Sequence, residues 1–119
     1  MITLSNTLYT CQIILGGAIT TNQLEYSGSY IEISRDRLDS FVTFSGQTNS
    51  ATAVTMVAAP IAGNKRLIRD LHVYNADTVS ATVTIRLNYN SGTFRRLCVV
   101  VLTAGQSLIY TSESGFSTI

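Results

Sequence analysis

Residues 81–89 read ATVTIRLNY, and the alternation in this stretch decides the fold class. Val83, Ile85, Leu87 and Tyr89 share one parity, while Thr, Arg and Asn occupy the other. A repeat of two residues is the period of a strand with one buried face. The many Thr, Val, Ile and Tyr residues agree with this, because β-branched and aromatic side chains suit a pleated, half-buried surface.

Similar stretches lie on both sides of it and are separated by turn sequences. The strand-like runs are YIEIS (30–34), FVTF (41–44), TAVTMVAAP (52–60) and RLIRDLHVYN (66–75). Turn sequences rich in Gly and Asn, such as SGQTNS (45–50) and NYNSGT (88–93), recur about every 8 to 12 residues. This spacing predicts an all-β chain, an antiparallel β-sandwich of about eight strands. We expect a loop at 34–41, with one helical turn capped by Ser34 as the alternative.

The predicted core comes mainly from the C-terminal half. Its members are the apolar residues Val83, Ile85, Leu87, Leu97, Val99, Val101 and Leu108. Cys11 and Cys98 each lie in an apolar run and are interpreted as buried free thiols that pack as small hydrophobic groups. A disulfide between two strands remains the alternative.

The first 25 residues are apolar or Thr-rich, and Glu25 is their single charge. A flat apolar segment at an exposed sheet edge favours aggregation unless something covers it. Two interpretations carry equal weight. In one, residues 1–25 form an extended assembly segment that pairs with another subunit, ahead of a sandwich domain at 26–119. In the other, the segment supplies an ordinary first strand of the domain's own sheet.

Charge is scarce in this chain of 119 residues, 13% of which are charged and 45% hydrophobic, with a net charge of +1. That charged fraction is about half of the usual share, which favours a surface partly covered by a partner. Seven of the eight basic residues form three small groups: Arg35/Arg37, Lys65/Arg66/Arg69 and Arg95/Arg96. Such small groups predict no direct contact with nucleic acid. No segment has the pattern of a signal peptide or a membrane span, so we expect a cytoplasmic, non-membrane protein.

No constellation of catalytic residues is apparent. His72 is the single histidine, and Asp70 lies two positions away on the same predicted strand face. Any polar strand face produces that spacing, so His72 is interpreted as a satisfied or solvent-facing side chain. The sequence also lacks metal-ligand spacing, a phosphate loop and a paired carboxylate motif. It therefore predicts a protein that is not an enzyme and that has no cofactor or metal.

The order of several short motifs resembles small structural proteins of tailed bacteriophages. The matching features are a basic strand that ends in Tyr74 and Asn75, the ATVTI of 81–85, LTAGQSLIY at 102–110, a closing Gly-Phe at 115–116, and LGGAITTNQLEY at 15–26. Gln106 stands where that pattern usually has Glu. The resemblance implies a jelly-roll-like sandwich and a virion protein of the capsid decoration, or cement, type.

Such a protein would staple neighbouring capsid subunits against internal pressure. The resemblance implies a homotrimer on the capsid surface, assembled in the host cytoplasm, with itself and the major capsid protein as partners. The predicted contact residues come from 1–26 and from the charged group Arg35, Asp36, Arg37 and Asp39. They are Leu4, Leu8, Tyr9, Ile13, Ile19, Leu24, Tyr26, Arg35, Arg37 and Asp39.

Two alternatives remain. One is a phage tail, baseplate or receptor-binding sandwich, for which Tyr89, Asn90 and Asp77 would form an exposed cluster at the loop tips. Tyrosines can stack on sugars, although core and interface positions are the more common use of tyrosine in such folds. The other alternative is a monomeric scaffold or carbohydrate-binding domain.

Overall fold

The protein is a sandwich of two antiparallel sheets, as the sequence predicts. The computed structural model describes residues 2–34, 37–90 and 92–119, with backbone alone for Leu38 and Asp39. The strands are β1 (Ile2–Leu4), β2 (Thr10–Leu15), β3 (Glu25–Ser34), β4 (Arg37–Gln47), β5 (Val54–Val57), β6 (Asn64–Tyr74), β7 (Ala81–Asn90), β8 (Thr93–Leu102), β9 (Ser107–Thr111) and β10 (Gly115–Thr118). These ranges contain no helix, and therefore none with the length and apolarity that crossing a membrane requires.

The ten strands divide into a six-stranded and a four-stranded sheet. The six-stranded sheet has the order β10-β9-β6-β3-β4, and β1 pairs with β6 in addition. The four-stranded sheet has the order β5-β2-β7-β8. The predicted NYNSGT turn joins β7 to β8, and Gly92 has a φ of 89° there. A positive φ is readily available to glycine, which lacks a Cβ.

Most of the predicted core lies between the two sheets, but two residues of β8 that were predicted to lie there face outward. Val83, Ile85 and Leu108 are buried, as is Leu87. Val99 and Val101 are 55% and 58% exposed, so their prediction as core residues was wrong.

A β-bulge causes this reversal. Ile85 pairs with Cys98 whereas Arg86 pairs with Arg96, so Leu97 has no partner in the β7 register. An extra residue inverts the alternation beyond it. Cys98, Val100 and Leu102 consequently face inward, while Leu97 is half-buried against the core.

Both cysteines are free. Cys11 lies on β2 and Cys98 on β8, with β7 between the two strands. Strands two positions apart in a sheet are separated by roughly 10 Å, whereas the Cα atoms of a disulfide are about 4.4–6.8 Å apart. The separation of the two cysteines is therefore too large for a disulfide. Burial raises the pKa of the Cys11 thiol to about 12 and raises that of Cys98 as well.

The N-terminal segment forms part of the sandwich. Strand β2 lies between β5 and β7, and β1 pairs with β6. The side chains of Cys11, Ile13 and Leu15 are buried. In this chain the segment therefore contributes strands to the domain's own sheets, as in the second of the two interpretations.

The segment predicted as a loop at 34–41 is mainly strand. Strand β3 extends to Ser34 and β4 begins at Arg37, so Arg37 and Asp39 lie on a strand rather than in a loop. Arg35 and Asp36 lie outside the described residues. In the same pair of strands Tyr26 lies over Gly46 and Phe44 lies over Gly28. Each aromatic side chain can do so because glycine has no Cβ in the space that it occupies.

Candidate assembly surfaces

Four of the predicted contact residues are in the chain's own core. Leu4, Ile13 and Leu24 have no exposed surface, and Tyr26 is also buried. A side chain enclosed by its own domain cannot contact a partner at the same time. At these four positions the apolar pattern of 1–26 corresponds to the inside of the sandwich.

The other predicted contact residues do not converge on one patch. Leu8 is 53% exposed and Arg37 is exposed, while Tyr9 and Ile19 are half-buried. Tyr9 packs edge-to-face on Tyr89, with ring centroids 4.7 Å apart. Tyr9 precedes β2 and Ile19 follows it, so these two lie at opposite ends of that strand. Arg35 and the side chain of Asp39 are outside the described part of the chain.

The loop-tip cluster predicted for a receptor-binding module is not formed. Asn90 ends β7, whereas Asp77 precedes that strand. A ten-residue strand is roughly 33 Å long, so the two residues lie at opposite ends of the sandwich. Asp77 is also buried, and Tyr89 is half-buried against Tyr9.

Asp77 instead joins two loops. Its carboxylate accepts backbone N–H bonds from Thr20 and Thr21 at 2.8 Å, from Asn22 at 3.2 Å and from Thr78 at 2.8 Å. These amides, that of Thr20 above all, lower the pKa of the carboxyl to about 2, although burial opposes the shift. One loop connects β2 to β3 and the other connects β6 to β7, so Asp77 ties together two connections between the sheets.

The outer face of the four-stranded sheet has an apolar half and a basic half. On β7 and β8 the outward pairs are Thr82 with Val101, Thr84 with Val99, Arg86 with Arg96, and Asn88 with Phe94. We call this surface the arginine–valine face. Because the bulge at Leu97 turns the two valines outward, the alternation of β8 alone would not predict it.

The basic half is organised around one aromatic ring. The guanidinium carbon of Arg86 lies 4.2 Å from the Phe94 ring centroid, and that of Arg96 lies 5.5 Å from it. Arg86 Nε also donates a hydrogen bond to Gln12 Oε1 at 3.0 Å. Arg95 Nη1 donates to the Phe94 carbonyl at 3.0 Å. Cation–π contacts of this kind orient the guanidinium groups and offset part of their repulsion.

This sheet contains no carboxylate. Strands β2, β5, β7 and β8 include Arg86, Arg95 and Arg96 but neither Asp nor Glu. Among the described residues, none of these three arginines has a salt bridge. The six-stranded sheet differs, because Arg66 pairs there with Glu32 at 3.1 Å. The sequence carries a sign of this asymmetry, since residues 78–112 lack Asp and Glu altogether.

Each sheet also has one long edge strand. Strand β4 has eleven residues and β8 has ten, and each pairs with a single neighbour. The exposed side chains of Phe41 on β4 and of Val99 and Val101 on β8 are apolar. A long edge with exposed apolar groups is a template for pairing with another chain.

The outer face of the six-stranded sheet holds a shallow polar groove. Glu25, Ser27, Ser45, Gln47, His72 and Tyr74 line a volume of about 610 Å³. His72 is exposed, as expected, and Ser29 Oγ donates to Asp70 Oδ1 at 2.9 Å beside it. Within the described ranges no group of three or more His, Cys, Asp or Glu residues could hold a metal ion.

No known protein family, curated protein or solved structure matches this chain. The surfaces that stand out are the two uncovered edges, the arginine–valine face and the polar groove.

Proposed function

We propose that the chain is a non-enzymatic virion structural protein of the capsid decoration type. In this role it binds the outside of a phage capsid, contacts neighbouring capsid subunits and holds them together against pressure from within. It acts as a homotrimer, and its partners are other copies of itself and the major capsid protein. The motif order that resembles tailed-phage structural proteins supports this role.

The observation that carries the proposal is the pair of long, uncovered edge strands. Strands β4 and β8 end different sheets, and both expose apolar side chains, Phe41 on one and Val99 and Val101 on the other. A unit with two such edges can add backbone hydrogen bonds to one neighbour at each edge. Symmetric repetition lets modest contacts per copy sum to firm attachment.

The first test is cosedimentation of the purified chain with capsids that lack it. Val101→Lys places a charge on the β8 edge, where lysine blocks pairing between strands. We expect this variant to lose capsid binding. Ile61→Lys is the matched control, because Ile61 is 69% exposed in the connection between β5 and β6, outside both edges, and its change should leave binding intact.

Copy number in purified particles gives an independent test. A decoration protein should be present in numbers comparable to the major capsid protein, whereas a tail module should be present in few copies. Gel densitometry of particles measures the copy number. Native mass spectrometry of the isolated chain measures whether it forms a trimer. A monomer that does not sediment with capsids would contradict the proposal.

The polar groove favours a second candidate function, a receptor-binding module of the tail. Its hydroxyl, amide and phenol groups, from Ser27, Gln47 and Tyr74 among others, suit hydrogen bonds to sugars. Ser45→Arg would fill the groove without changing a buried residue. Glycan-array binding that this variant abolishes, together with labelling at the tail tip, would favour the second function over the first.

A further inference from the structure

We infer that the arginine–valine face, with the β8 edge, binds an extended protein segment that carries carboxylates at one end and apolar side chains at the other. The inference deepens the proposed function and rests on it for the partner's place in a particle. The occupant is defined by its chemistry, which the charges and apolar groups of this face specify.

Two like charges lie directly opposite each other on this face. Arg86 and Arg96 are directly opposite in the β7–β8 register. Like charges in that position destabilise an antiparallel pair. The sheet has no carboxylate to offset them, and Phe94 offsets their repulsion in part. Conflicts of this kind between local preference and fold concentrate at functional sites.

Neighbouring side chains hold the guanidinium group of Arg86 in a fixed orientation. Arg86 is half-buried, its Nε atom donates a hydrogen bond to Gln12, and its guanidinium carbon lies over the Phe94 ring. No hydrogen bond among the described residues uses its two Nη atoms. A guanidinium held in this way has lost most of its side-chain freedom before binding, and its planar fork matches a carboxylate with two parallel hydrogen bonds.

The composition of the face suits a protein segment better than it suits nucleic acid. The face has two cations, Arg86 and Arg96, and it continues directly into two valines, which would oppose a phosphate backbone with apolar groups. The Phe94 ring has guanidinium groups over it and is not free to stack on a base. The β8 edge, in contrast, pairs only with β7 and can accept a further strand.

The register of β8 gives the order of residues in the segment. Phe94 and Arg96 come first along β8, and Val99 and Val101 follow. An antiparallel partner strand therefore presents two apolar residues and then two acidic ones on this face. The probe is the capped peptide TVTVTETET, and its matched control is TVTVTKTKT.

The experiment titrates each labelled peptide with the full-length chain and follows fluorescence anisotropy. We expect the Glu peptide to bind, with an affinity that falls as salt is raised, and the Lys peptide not to bind. Arg86→Gln and Arg96→Gln should each weaken binding by about tenfold or more, since each removes a charge-assisted contact. Arg69→Gln is the control, because Arg69 lies over Phe41 on the other sheet.

Thermal melts of the same variants separate binding from folding. Because Arg86→Gln and Arg96→Gln each relieve the opposed charges, their melting temperatures should equal or exceed that of the parent chain. Equal binding of the two peptides, an equal loss in Arg69→Gln, or tighter binding of a short DNA duplex would overturn the inference. Peptide binding without capsid binding would sustain it while contradicting the decoration role, so the two proposals can fail separately.

Discussion

The two sheets of this sandwich differ in the partners of their charged side chains. In the six-stranded sheet, Arg66 is paired with Glu32, and Asp70 accepts a hydrogen bond from Ser29. In the four-stranded sheet, Arg86 and Arg96 face each other with no acidic residue on any of the four strands. The one salt bridge among the described residues thus lies in the six-stranded sheet, whereas the arginines of the four-stranded sheet have none.

The largest expected effect concerns the inside of the four-stranded sheet. Ile13→Ala leaves a cavity at a fully buried position of β2 and should lower the free energy of unfolding by about 2–5 kcal/mol. Ile61→Ala, at an exposed position, should change it by less than about 0.5 kcal/mol. Urea denaturation measures both. A small effect at Ile13 would return residues 1–25 to the role of a separate assembly arm.

The six-stranded sheet has a corresponding sensitive position at Gly28. A Cβ at Gly28 would lie 2.6 Å from Phe44 Cζ and against the Asp70 carbonyl oxygen. Gly28→Ala should therefore destabilise the fold by about 1–3 kcal/mol, as other overpacking substitutions do. Gly17→Ala is its control, because nothing lies within 4 Å of the added methyl group. Similar melting temperatures for the two variants would contradict the close packing of Phe44 on Gly28.

The two sheets are also coupled through their connections, and acid should loosen that coupling. The pKa of Asp77 is about 2 in the folded chain and about 3.9 in an unfolded one. Its contribution to stability is therefore complete above pH ~4 and is lost as the pH falls towards 2. Melting temperatures measured across this range should fall less steeply in Asp77→Asn, which is expected to be less stable than the parent at pH 7. Parallel profiles would contradict the role of the carboxylate.

The smallest expected effect distinguishes the two faces of the four-stranded sheet. Val99→Thr changes an exposed residue and should alter the free energy of unfolding by less than about 0.5 kcal/mol. Val83→Thr makes the same chemical change at a fully buried position, where an unpaired hydroxyl costs about 1–3 kcal/mol. Equal losses in the two variants would place β8 in the register that simple alternation predicts.

Sequence periodicity predicted the fold class because strands such as β7 keep a strict alternation. The same logic failed at Val99 and Val101, since the bulge at Leu97 leaves no mark in the pattern. It was also weak in residues 1–25, where Thr and Gly blur the alternation around Ile13.

The functional surfaces were harder to foresee because they depend on pairing between distant residues. Asp77 meets amides of Thr20 to Asn22 that lie far away along the chain, and Arg86 opposes Arg96 only in the bulged register. The shortage of acidic residues in 78–112 was the one feature of the sequence that pointed to the arginine–valine face.

The central position of β2 has a consequence for synthesis of the chain. Strand β2 leaves the ribosome before β7, yet Thr10 pairs with Asn88 and Leu15 with Val83. At typical translation rates the wait for β7 is on the order of ten seconds. During that interval the apolar side of β2 is accessible to chaperones and to other nascent chains, so slow codons between residues 16 and 80 should lower the yield of soluble protein.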